Sequence, residues 1–251
     1  MHGEPETWDI LMRFSNSIVG RLRARPDKGS ICTALNLLLG RVIDACNSIR
    51  VLAEHSRHSY DADGAVILRS AYDASLQALY ILSKPEHRQE RALLFLDFCW
   101  VEKYFGIKRV DANPSLVAKQ VSQSPNRVAA EPTVIREFQR VEARYRTKKR
   151  KNQTEVIRNT WYPGNLRVLA KDIRYETEYD LLQSQLSASV HSSPLALKQG
   201  PIISREHLLS WGWVLSMRVL CRYAEFKGVA LTQEETDVYE TCKKSILGTI
   251  C

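Results

Sequence analysis

Apolar residues recur every three to four positions along almost all of this 251-residue chain, and nowhere do they alternate strictly. That spacing gathers them into one stripe of an α-helix and leaves no half-buried strand to build a sheet from. The first stripe joins Trp8, Leu11, Met12, Ile18, Val19 and Leu22 over residues 6–25, and Arg25-Pro26 with Gly29 ends it. Ser30 can cap a second helix carrying Leu35, Leu39, Val42, Cys46 and Ile49. The segment HSRHSYDADG breaks the pattern, and a third helix runs from Asp63 through Leu68, Leu76 and Leu79. Lys84-Pro85 separates it from a fourth over residues 86–110.

Beyond that point the punctuation is denser. Residues 111–130 read as a loop or short helix, and Pro132 suits the start of a polar fifth helix reaching about residue 151. NTWYPGN is a turn-rich linker, followed by helices over 165–171 and 176–192. Ser204 and His207 open an apolar helix that Gly228 stops, and Thr232 with Glu235 forms a capping-box pattern for the last one. The expected fold class is all-α: one compact helical bundle of eight or nine helices over residues 1–251. Hydrophobic residues make up 44% of the chain, enough for a sizeable core and too many for a disordered one.

No stretch approaches the roughly 18 to 20 apolar residues of a membrane span. The start, MHGEPETWDIL, has neither the basic nor the apolar region of a signal peptide. A cytoplasmic protein without membrane attachment is expected, with its six scattered cysteines mostly small core residues.

The net charge of +8 is not spread evenly. Residues 136–175 hold twelve basic and four acidic side chains, so this segment carries the whole excess. Its densest part, RYRTKKRK, contributes Arg144, Arg146, Lys148, Lys149, Arg150 and Lys151. Such a run could neutralise phosphates of RNA or another polyanion, giving salt-sensitive, sequence-independent binding. It could equally be a solvated helix end, where cations complement the helix dipole.

Motifs for the commoner chemistries are missing. There is no C-x-x-C or H-E-x-x-H metal spacing, no Walker A or G-x-G-x-x-G loop, and no G-x-S-x-G elbow. The expectation is therefore no metal and no cofactor. Three polar pairs remain. Arg69 and Asp73 lie four apart on an apolar helix, as an intrahelical ion pair or as a buried cation needing an anion. Ser187 and His191 are also four apart, at the end of a stripe formed with Tyr179 and Gln183. That stripe is solvent-facing unless it meets Arg69. Arg50 and His55 fit the R-x4-6-H spacing of the HEPN superfamily of helical ribonucleases, a spacing that chance alone supplies about as often.

Three blocks carry a resemblance: AVILRSAYDASLQALYIL, ERALLFLDFCWVEKYF and WYPGNLRVLAKDIRYETEYDLLQSQLSASVH. Over residues 40–195 they resemble the bacterial family known as domain of unknown function 5677, whose pattern is an Arg-Ser-x-x-Glu helix, a Phe-Leu-Asp-Phe helix and a Trp…Tyr…Ser-x3-His segment. Arg69 and Asp73 match the first, with Asp replacing the usual Glu; Asp97 matches the second; Trp161, Tyr179, Ser187 and His191 match the third. The resemblance implies a compact helical fold; within the single domain, a family-like core over residues 40–195 is expected, with helices at 204–249 packed on it. It also implies a polar site from Arg69, Asp73 and His191, and a place in bacterial defence or toxin loci.

The expected function is a HEPN-like, metal-independent ribonuclease. His191 would move the proton, Arg69 would hold the scissile phosphate, Asp73 and Ser187 would support them, and residues 144–151 would track the backbone. Arg50 and His55 are the rival pair, and a homodimer could complete the site. The alternative is a non-catalytic helical module for a nucleotide, another anion or a protein partner.

Overall fold

The computed structural model describes residues 5–25, 29–55, 61–148, 155–190 and 203–250. Among them ten α-helices occur: α1 (Pro5–Arg23), α2 (Ser30–His55), α3 (Asp61–Leu82), α4 (Arg88–Asp111), α5 (Leu116–Ser122), α6 (Pro125–Val141), α7 (Leu166–Asp172), α8 (Glu176–Val190), α9 (Arg205–Phe226) and α10 (Gln233–Ile250). The all-α class holds, with slightly more helices than the eight or nine expected.

The difference arises around two prolines. Ser124-Pro125 starts α6, with the proline at the first helical position, so Pro132 lies inside the helix rather than at its start. Both prolines satisfy the same N-terminal preference, and the sequence offers no local reason to choose the earlier one. Residues 116–122 form a separate short helix, α5, whose cap Ser115 accepts a hydrogen bond from the Ala118 amide.

The sixth helix also stops well short of residue 151. After Val141 the chain tightens into a 3-10 turn at Glu142–Tyr145. Tyr145 turns fully inward, donates its hydroxyl to the Leu94 carbonyl at 2.7 Å, and meets the Phe98 ring edge-on at 5.2 Å. Two short strands follow, β1 (Arg146–Thr147) and β2 (Val156–Ile157), antiparallel with Arg146 opposite Ile157. No strand was expected there, because two-residue strands are too short to show alternation.

The contacts divide the chain into two units. One comprises Gln89–Asn165. Its centre is α4: Phe95 packs on Trp161, Phe98 on Tyr145, and Tyr104 stacks on Phe138 at 3.7 Å. Asp97 accepts hydrogen bonds from Arg140 at 2.8 Å and Arg144 at 2.7 Å. The Phe-Leu-Asp-Phe block and Trp161 therefore act within this unit as its framework.

The other unit comprises Met1–Arg88 and Leu166–Cys251. Here α9 packs on α2 and α3, and α8 lies against α3. Leu35, Leu68, Leu76, Leu186 and Leu215 are fully buried. Gly212 lets α9 approach α2: a Cβ there would stand 3.3 Å from the Cys46 sulfur. The Cys46 thiol donates to the Gly212 carbonyl at 2.8 Å, and the Ser216 hydroxyl reaches Cys46 at 3.1 Å. Burial pushes this thiol up to about 11 against the opposing Ser216 bond, so it is an inert core residue.

The helix ends follow the sequence closely. Glu235 accepts from the Thr232 amide at 2.8 Å while its own amide donates to the Thr232 hydroxyl at 3.2 Å, a complete capping box. Gly228, at φ +62°, ends α9 as the Val229 amide closes back onto the Ala224 carbonyl. No helix among the described residues is long and apolar enough to cross a membrane.

Candidate functional site

The meeting of α3 and α8 brings the candidate residues together. On α3, the Arg69 Nε lies 2.9 Å from the Asp73 carboxylate, one turn along the same helix. Both side chains are partly covered, 18% and 33% exposed, so neither is an ordinary surface ion. Burial pushes the Asp73 carboxyl above the usual carboxylate range, and the positive charge of Arg69 opposes that rise. Across the interface the Arg69 guanidinium sits 5.7 Å from the centre of the Tyr179 ring, within cation–π range. Tyr179 in turn stacks beside the fully buried Tyr72, with ring centres 6.4 Å apart.

One guanidinium nitrogen stands apart. Arg69 Nη1 is buried and has no hydrogen-bond partner among the described residues. A buried N–H donor on a charged group is costly to leave unpaired, so this position calls for an acceptor. One turn beyond Tyr179, Gln183 donates its amide to the Ser187 hydroxyl at 2.8 Å, while its own Oε1 is also buried without a partner among the described residues. The stripe on α8 thus turns its first member, Tyr179, toward Arg69, and its next two bond to each other along the helix.

A second ion pair fixes α8 beside this group. Arg218 of α9, 6% exposed, makes a two-pronged pair with Glu178 at 2.8 and 2.9 Å, and lies 4.5 Å over the Tyr175 ring. Burial first, and then the negative charge of Glu178, push the Tyr72 phenol far up, so it remains a neutral donor. Spacing along the sequence did not reveal Glu178 and Arg218 as a pair. The signal was present in Arg218 itself, a charge in the middle of an apolar helix, which needs a counter-charge wherever that helix is buried.

The sequence profile of the family of unknown function DUF5677 matches residues 33–204. The chain belongs to this family. No curated protein and no solved structure matches it. In this DUF5677 chain the family blocks divide their work between the two units. Arg69, Asp73 and Tyr179 form the α3–α8 group, with Gln183 and Ser187 further along α8, whereas Asp97 and Trp161 belong to the packing of the other unit.

The remaining candidates fall as follows. His191 immediately follows α8 and lies outside the described residues. The rival Arg50 pairs with Glu54 at 3.4 Å on α2, and the side chain of His55 is outside the described set. Arg144 is bound to Asp97, and Arg146 pairs with Glu142 at 3.2 Å. Lys148 is exposed at the end of β1, and Lys149, Arg150 and Lys151, in the connection between the strands, lie outside the described residues. Among the described residues no three of His, Cys, Asp and Glu gather as a metal site would require.

Proposed function

We propose that the α3–α8 group binds a phosphate ester of RNA, and that the protein is a HEPN-like, metal-independent endoribonuclease of a bacterial defence or toxin system. The observation that supports this most is the unpartnered, buried Nη1 of Arg69. Asp73 Oδ1 lies 2.9 Å from Nε, and Nη1 has no acceptor among the described residues. A phosphate oxygen is a fitting acceptor there, since arginine binds phosphates through charge-assisted N–H bonds.

In this reading His191 takes the proton from a ribose 2′-hydroxyl, and the resulting oxyanion attacks the adjacent phosphorus. The bond to the 5′-oxygen breaks, and that oxygen leaves with a proton returned by the imidazolium. The products are a 2′,3′-cyclic phosphate and a 5′-hydroxyl end. Arg69 stabilises the charge that gathers on the phosphoryl oxygens, and Asp73 holds the guanidinium in orientation. Residues 148–151 would hold more distant phosphates, and a second copy of the chain could complete the site.

The test is digestion of total RNA in EDTA buffer, with analysis of the new ends. Wild type should produce cyclic phosphate ends, while Arg69→Ala and His191→Ala should produce none. Intact RNA with wild type, or unchanged cleavage by His191→Ala, overturns the catalytic claim. A non-catalytic nucleotide-binding module is the second reading, favoured by the extent to which Asp73 and Tyr179 already surround Arg69. It predicts Arg69-dependent binding without cleavage.

A further inference from the structure

A concavity lies on the same unit as the α3–α8 group, between α1, α2 and α9. Its volume is about 470 Å³, within the range of small-molecule pockets. Four aliphatic side chains, Val19, Leu22, Leu39 and Ile43, supply its apolar lining. Arg23, Asn36 and Lys227 supply polar groups, and among the described residues none that lines it is acidic.

Gly40, in the middle of α2, lies in this wall. A glycine inside a helix costs stability relative to alanine, and it is commonly retained where another backbone packs closely. Here nothing stands within 4 Å of where its Cβ would be. The missing side chain therefore serves no packing contact and simply enlarges the open space.

The cations are arranged at one end. The Lys227 ammonium donates to the carbonyls of Leu22 and Arg25, closing the end of α1, and neither carbonyl neutralises its charge. Arg23 occupies the last turn of α1, the turn whose Leu22 carbonyl Lys227 binds. Among the described residues Tyr223 is the one aromatic in the wall; it is buried and already stacks near Phe226, which leaves no described pair of rings to sandwich a nucleobase. Aliphatic walls with a cationic end fit an alkyl chain bearing an anionic head.

We infer that the α1–α2–α9 cavity binds a medium-chain carboxylate, with the chain over Gly40 and the carboxylate at Arg23 and Lys227. This binding is independent of the RNA chemistry at Arg69. The test is calorimetric titration of the full chain with decanoate below its micellar range, beside decyltrimethylammonium of equal chain length. Decanoate should saturate one site per chain, and the cation should not bind. Gly40→Leu fills the cavity while improving helix propensity; it should weaken decanoate at least tenfold without lowering the melting temperature. Arg23→Gln should weaken it severalfold. No saturable decanoate binding, equal binding of the cation, or undiminished binding by a folded Gly40→Leu each overturns the inference.

Discussion

A guanidinium carries five N–H donors in a fixed plane, and Asp73 lies against only the Nε edge of Arg69. The pair is therefore more than the exposed i,i+4 bridge that its spacing alone suggests, because burial changes what each partner requires. For Asp73 the sign can be worked out. Its carboxyl is raised in the folded state by burial, so its stabilising contribution is complete below the unfolded value near ~3.9 and is lost as pH rises through the folded value. Asparagine mimics the protonated form. The melting temperature of Asp73→Asn, relative to wild type, should thus improve between pH 3 and pH 6. A relative decline over that range would mean that the Arg69 charge, and not burial, governs Asp73. The pairing of Arg69 with Asp73 was legible from spacing and apolar neighbours. Its contact with Tyr179 was not, since period-four stripes on two helices say nothing of how the helices are rotated toward each other.

At the scale of elements, α8 is held by its pair with α9. Arg218 and Glu178 are both nearly sealed from water, so either one alone would be an uncompensated buried charge. Arg218→Met should cost about 3–5 kcal/mol in urea unfolding, and adding Glu178→Leu should restore most of that loss. Additive losses would show that the two charges do not depend on each other. The capping box of α10 gives a smaller, pH-dependent effect. Burial would raise the Glu235 carboxyl, but the Arg21 guanidinium at 2.6 Å and the Thr232 amide outweigh it and hold it below its usual value. Its contribution is present above the unfolded value near ~4.3 and fades as pH falls through the folded one. Glu235→Gln should therefore lose about 1–3 kcal/mol at pH 7 and little at pH 3. Helix ends such as these were readable because Ser, Thr, Glu and Gly act on their own termini. The end of α6 and the β1–β2 pairing lie beside Tyr145 reaching Leu94, 51 residues away, and no local rule reports such a contact.

For the whole molecule, the basic surplus of residues 136–175 is partly answered by carboxylates from outside that segment. Arg140 and Arg144 share Asp97, and Arg167 meets Glu176 and Asp180. A count along the chain cannot show this, because the partners are brought in by folding. The expectation of RNA contact at 148–151 can be tested against these paired arginines directly. Replacing Lys148, Lys149, Arg150 and Lys151 by serine should flatten the salt dependence of RNA affinity by about 0.7 in log–log slope for each phosphate that the variant no longer neutralises. Arg144→Ala should change that slope less, and the reverse order would place the polyanion surface at Asp97's arginines instead.

The central claim is that the unpartnered Nη1 of Arg69 holds a phosphate, and affinity for an uncleavable RNA tests it without involving catalysis. A 2′-O-methylated oligonucleotide titrated against wild type and Arg69→Ala, with melting curves for both, separates binding from folding. The account predicts at least a tenfold loss of affinity in a variant that remains folded. Equal affinity in a folded Arg69→Ala would contradict it.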